Sequence, residues 1–90
     1  MTYIYEFNDK EYTLEELIEE NDIIKKTWAE CINEEYNFWN KINPHHLSDI
    51  ITEATDLLEE TLMMEHSINI KFIKTTDEYD LNVLLMPLIK

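Results

Sequence analysis

The sequence predicts an α+β fold in the order ββαααββ. A β-hairpin at each end contributes to one small sheet, which packs against two to three central helices. Three observations carry this. Apolar residues alternate with polar ones near both ends, the period of a half-buried strand. In the middle they recur every three to four residues, the period of a helix. The segments are separated by Asn-Asp and Asn-Pro steps and by a Thr-x-x-Glu motif, in a chain that contains no Gly at all. The length suits a single domain, residues 1–90.

In the first hairpin Tyr3, Tyr5 and Phe7 alternate with Ile4 and Glu6. Asn8-Asp9 is the predicted turn, because these two types tolerate the left-handed region better than other residues with a side chain. Lys10 to Tyr12 is the return strand. Thr13-Leu14-Glu15-Glu16 reads as a capping box, with hydroxyl and carboxylate each accepting from the other's backbone N–H. A short helix follows to about Glu20, and Asn21-Asp22 supplies a break and a new N-cap. The second helix places Ile24, Trp28, Cys31, Trp39 and Ile42 on one stripe, with Ile32 and Phe38 beside it. Asn43-Pro44 ends it and opens the third. There Leu47, Ile50, Ile51, Ala54, Leu57, Leu58 and Leu62 form the core face. Beyond His66, Ile68, Ile70 and Phe72 alternate as one strand. After a turn at 75–78, Tyr79, Leu81, Val83 and Leu85 alternate as another, closed by Pro87. This last hairpin is expected at the centre of the sheet or on a dimer surface.

Composition excludes several functions. Without Gly there is no Walker A loop, no dinucleotide-binding G-x-G-x-x-G turn and no G-x-S-x-G nucleophile elbow, each of which needs backbone that only Gly adopts easily. The 7 basic residues are all Lys, so the bidentate Arg clamp for phosphates is missing too. Against them stand 20 acids, a net charge of −13. Direct binding to nucleic acid or to an anionic membrane is therefore disfavoured. The field favours a basic protein surface instead. One Cys allows no internal disulfide, and no secretory or membrane-spanning pattern is present, which points to the cytoplasm.

Catalysis and metal binding find little support. His45-His46 point in different directions in a first helical turn, and His66 stands a helix away. No zinc spacing and no EF-hand loop occur. Cys31, on an apolar face, reads as a buried structural thiol. Glu35 interrupts the apolar stripe and is the one carboxylate around which a small enzyme could be imagined. The expectation is no enzyme, no cofactor and no metal.

The acidic charge is unevenly placed. Residues 1–65 hold 17 acids against 4 Lys, and residues 66–90 hold 3 against 3, so the whole −13 lies in the first part. On the third helix Asp49, Glu53, Asp56 and Glu60 lie opposite the core face, within about 60° of one another at 3.6 residues per turn. No Lys relieves them between Asp49 and Glu65. Like charges at i,i+4 cost roughly 0.2–0.5 kcal/mol each, so helix stability does not account for the pattern. Neighbouring carboxylates lie about 5–6 Å apart, near the spacing of backbone phosphates, so the helix is expected to mimic nucleic acid. Glu15, Glu16, Glu19 and Glu20 on the first helix form a second acidic group.

In small size, acidity and lack of a catalytic motif, the chain resembles phage or mobile-element inhibitors of host defence nucleases. The resemblance lies in composition and charge. It implies a non-catalytic inhibitor of the anti-CRISPR or anti-restriction type, working in the host cytoplasm and occupying the DNA- or RNA-binding groove of its target. The alternative is a dimeric structural or adaptor module. Tyr36 and Phe38 would then present an aromatic, Met-rich surface to a second copy or another protein.

Overall fold

The computed structural model describes residues 2–42, 47–76 and 84–88. Three strands, β1 (Thr2–Phe7), β2 (Lys10–Thr13) and β3 (Lys71–Thr76), and three helices, α1 (Leu14–Glu20), α2 (Asp22–Ile42) and α3 (Leu47–His66), follow in the order β1-β2-α1-α2-α3-β3. The α+β class and the arrangement of a small sheet with central helices are as the sequence predicts. The strands form one antiparallel sheet in the order β2-β1-β3. Among the described residues the first hairpin's β1, rather than the last hairpin, holds the middle position.

The local signals account for the first third of the chain. Phe7 pairs with Lys10 across a two-residue turn in which Asn8 and Asp9 have φ of 53° and 66°. Both central residues are left-handed, the geometry of a type I′ turn whose twist matches that of the flanking strands. The capping box is formed in full. The Thr13 N–H donates to Glu16 Oε1 at 2.9 Å, and the Glu16 N–H donates to Thr13 Oγ1 at 3.1 Å. Asn21 then serves two helices. Its N–H donates to the Leu17 carbonyl, closing α1, while its side-chain oxygen accepts from the N–H groups of Ile23 and Ile24, opening α2.

Helix α2 buries Ile24, Thr27, Trp28, Cys31 and Ile32, whereas Phe38, expected beside this stripe, is 54% exposed. The side chains of Trp39, Ile42 and Leu47 lie outside the described residues. Helix α3 buries Ile50, Ile51, Ala54, Leu58 and Leu62, with Leu57 at the core margin. Helices α2 and α3 pack against one another. Cys31 of α2 lies within hydrogen-bonding reach of Thr61 of α3. Tyr3 and Tyr5 of β1 project from the sheet into the same core.

The chain leaves α3 through Ser67, left-handed at φ 55°, and the Ile68 N–H reaches back to the Leu62 carbonyl. Of the predicted strand 68–72, Ile68 and Ile70 precede β3, and Ile70 is buried.

The return strand through Tyr79 and Leu85 needs correction where it can be seen. Leu84 and Leu85 are helical and Met86–Leu88 form a 3-10 turn, while residues 77–83 lie outside the described residues. Contacts distant in sequence hold this segment. The Trp28 indole Nε1–H donates to the Leu84 carbonyl at 2.9 Å in a buried site, and the Asn33 amide donates to the Pro87 carbonyl at 3.3 Å. Trp28 thereby satisfies its one polar atom, as a buried Trp must.

Candidate functional site

The candidate interface is the outer face of α3. Asp49, Glu53, Asp56 and Glu60 are all exposed, and the residues opposite them are the most buried in the helix. The reason is rotational. The core positions 50, 51, 54, 58 and 62 repeat at helical spacing, so the complementary positions 49, 53, 56 and 60 must emerge on the far side. From Asp49 to Glu60 the stripe spans eleven residue steps, about 16 Å at 1.5 Å per residue. Its carboxylates can meet a partner without leaving a buried position.

The acids of α1 have a different setting. Glu16 is engaged in the capping box, and Glu15 is half-buried. Glu19 and Glu20 are exposed, and Glu19 lies beside Lys25 in a mainly apolar groove of about 270 Å³ completed by Ile18, Ala29, Met86 and Pro87. Helices α1 and α3 each pack on α2. The eight candidate acids therefore divide into an uninterrupted row of four on α3 and a group of four on α1, part of which already has a structural task.

The structure adds a site that the sequence reading missed. On the flank of α3 that meets the sheet lies a second groove, of about 250 Å³. Thr52, Thr55 and Glu59 line it from α3, and Tyr3, Tyr5 and Phe72 from the sheet. Asp56, a member of the acidic stripe, stands at its boundary. The Tyr3 hydroxyl is hydrogen-bonded to Thr52 Oγ1 at 3.0 Å. The Tyr5 hydroxyl is hydrogen-bonded to Thr55, whose own hydroxyl donates to the Thr52 carbonyl at 2.7 Å. Tyr5 is only 1% exposed, and burial, with Glu59 nearby, pushes its hydroxyl far above its ordinary titration range. It remains a neutral hydroxyl.

Phe72 is 44% exposed and meets both tyrosines, edge-on to Tyr5 at 5.9 Å between ring centres and tilted against Tyr3 at 6.2 Å. The Glu59 carboxylate accepts from the Phe72 backbone N–H. Burial raises its pKa above the ordinary carboxylate value and the Asp56 charge adds to this, while the Phe72 N–H opposes both. The signal for this groove was present in part. Thr52, Thr55 and Glu59 recur at i, i+3 and i+7 on one shoulder of the core face. The tyrosines that complete it lie far away in sequence, Tyr3 being 49 residues from its partner Thr52.

The remaining candidates are placed as follows. Tyr36 is partly buried against the core, whereas Phe38 faces outward. Cys31 is buried, and desolvation pushes its thiol up to about 11, as befits a structural residue. Glu35 is half-buried at the margin of α2. His45 and His46 lie outside the described residues, and His66 is exposed at the end of α3. Among the described residues no three His, Cys, Asp or Glu side chains converge as a metal site, and no helix is long and apolar enough to cross a membrane. No protein-family model matches the chain, and neither a curated protein nor a solved structure shows significant similarity to it.

Proposed function

We propose that this protein is a small, acidic, non-catalytic inhibitor. In this proposal it presents α3 to the basic groove of a nucleic-acid-binding protein and competes there with DNA or RNA. The supporting observation is the exposed row Asp49, Glu53, Asp56 and Glu60, set opposite the core and uninterrupted by any Lys. Lys and Arg side chains that contact phosphates in a nucleic-acid groove would meet carboxylates at a similar pitch, and condensed counterions would be released in the same way. Inhibition would come from occupancy alone, in the cytoplasm. The compositional resemblance makes a defence nuclease of a phage's host the target class to test first.

The test is capture of partners from a nuclease-treated lysate at low and high salt, with and without added duplex DNA. The expected partner is a nucleic-acid-binding protein that is lost at high salt and displaced by DNA. A folded variant carrying Asp49→Lys, Glu53→Lys, Asp56→Lys and Glu60→Lys should not retain it. Retention by that variant, or indifference to salt and DNA, would sink the proposal.

A second reading, a dimeric or adaptor module, draws on Phe38 and on Met64, which is 76% exposed. Light scattering and Phe38→Ala test it: a salt-tolerant dimer lost in the variant would favour this alternative.

A further inference from the structure

The groove between α3 and the sheet has the chemistry of a cation receptor, and we propose that it receives one arginine side chain of a basic partner. This deepens the proposed function and rests on the reading of α3 as the binding face. Three features favour that occupant.

The first is the pairing of walls. An aromatic surface, Phe72 with Tyr3 tilted against it, adjoins two carboxylates, Asp56 and Glu59. A cation there gains both a π-face and charged acceptors. A divalent metal ion would need oxygen ligands beyond these two carboxylates, but the hydroxyls of Tyr3, Tyr5, Thr52 and Thr55 are already engaged in hydrogen bonds, and a metal has no use for the rings. Guanidinium is planar and more weakly hydrated than ammonium, so it loses less on entering a partly dry slot and can stack on a ring while its edge donates to carboxylates.

The second is size. At about 250 Å³ the groove falls short of the roughly 300–1,000 Å³ typical of small-molecule pockets, and it suits a single side chain better than a cofactor. The third is charge. The chain carries −13 and none of its 90 residues is Arg, so the guanidinium comes from outside these residues, and the field draws it in. Asp56 belongs to both stripe and groove. An arginine seated there would fix the register of a basic surface laid along α3, in the manner of an anchor residue at an interface centre.

The experiment is an amide NMR titration of the full chain with Nα-acetyl-arginine methylamide, with the corresponding lysine compound as the comparison. The shifts should centre on Tyr3, Tyr5, Glu59 and Phe72 and saturate at millimolar probe. Glu59→Gln and, separately, Phe72→Leu should each weaken binding by about tenfold, with the fold confirmed by circular dichroism. Glu30→Gln, exposed on α2 and in neither the groove nor the acidic row, should leave it unchanged. Shifts spread evenly along α3, equal affinity for the lysine compound, or unchanged affinity in both groove variants would overturn the assignment. Failure here with the lysate experiment intact would remove the arginine site and leave the acidic interface standing. Tight probe binding with no salt-sensitive partner would do the reverse.

Discussion

Helices α1 and α3 are both rich in acid, yet the acids do different things. In α1 two of them, Glu15 and Glu16, occupy the first turn, where the helix dipole favours negative charge, and Glu16 also closes the capping box. Both ends of α1 are satisfied by side chains or backbone, with Asn21 handing the chain on to α2. Only Glu19 and Glu20, in the last turn, run against the dipole. Helix α3 has one acid in its first turn, Asp49, and then carries Glu53, Asp56, Glu59 and Glu60 along its length, where like charges at i,i+4 repel one another. It ends on a non-Gly residue in the left-handed region. The charge of α1 is partly structural, while that of α3 works against its own helix. A feature that costs stability and faces solvent calls for an explanation outside the fold, and the proposed basic partner supplies one.

The largest effect should come from α3. Changing Asp49, Glu53, Asp56 and Glu60 to the corresponding amides should weaken partner binding by about 100-fold, taking exposed charges at roughly 0.5–1 kcal/mol each. Thermal stability should hold or rise, because the 49/53 and 56/60 repulsions at roughly 0.2–0.5 kcal/mol each are relieved. Calorimetric titration and thermal melting check the two halves. A variant that binds normally, or that unfolds, would break the contrast between the helices.

The next effect belongs to α1. Thr13→Ala removes the hydroxyl that accepts the Glu16 N–H and should cost about 1 kcal/mol, a drop in Tm of about 4–8 °C for a domain of this size. An unchanged melting curve would mean that the cap contributes nothing to α1. At the far end of α3, Ser67→Gly should stabilise. The left-handed penalty of roughly 1–2 kcal/mol disappears, less the roughly 0.5–1 kcal/mol of extra chain entropy that Gly loses, leaving a gain of about 0.5 kcal/mol in urea denaturation. A loss of stability there would show that the Ser67 side chain matters more than its backbone.

These sites also mark how far the sequence is legible. The turn at Asn8-Asp9 and the box from Thr13 to Glu16 are written in neighbouring residues, because the groups they satisfy are neighbouring too. The core face of α3 is legible for the same reason, since periodicity is a local property. Leu84-Leu85 defeats this approach. Its short apolar run suits a strand or a helix equally, and what holds it is a hydrogen bond from Trp28, 56 residues earlier. The groove was illegible on the same grounds, as Tyr3 and Thr52 meet only once the sheet has packed on α3. Glu59 could be read as one more acid of α3, but not as the one turned toward the sheet. It meets the sheet through Phe72, from whose N–H its carboxylate accepts.

Glu59 gives the smallest effect and separates the groove from the stripe by pH. Its pKa in the folded protein lies above the ordinary value of 4.5, chiefly through burial and then through Asp56. The folded state therefore holds a proton that the unfolded chain has already released. The stability Glu59 contributes is fully present below about pH 4.5 and is lost as pH rises through the folded value. Its partial exposure keeps the change small. Urea midpoints measured from about pH 4 to 8 should thus decline with pH more steeply in the wild type than in Glu59→Gln. The opposite difference would mean that the Phe72 N–H outweighs burial. Saturating arginine probe should flatten the wild-type slope toward that of the variant, because a bound cation favours the ionised carboxylate in the folded state. A slope indifferent to the probe would place its binding away from Glu59.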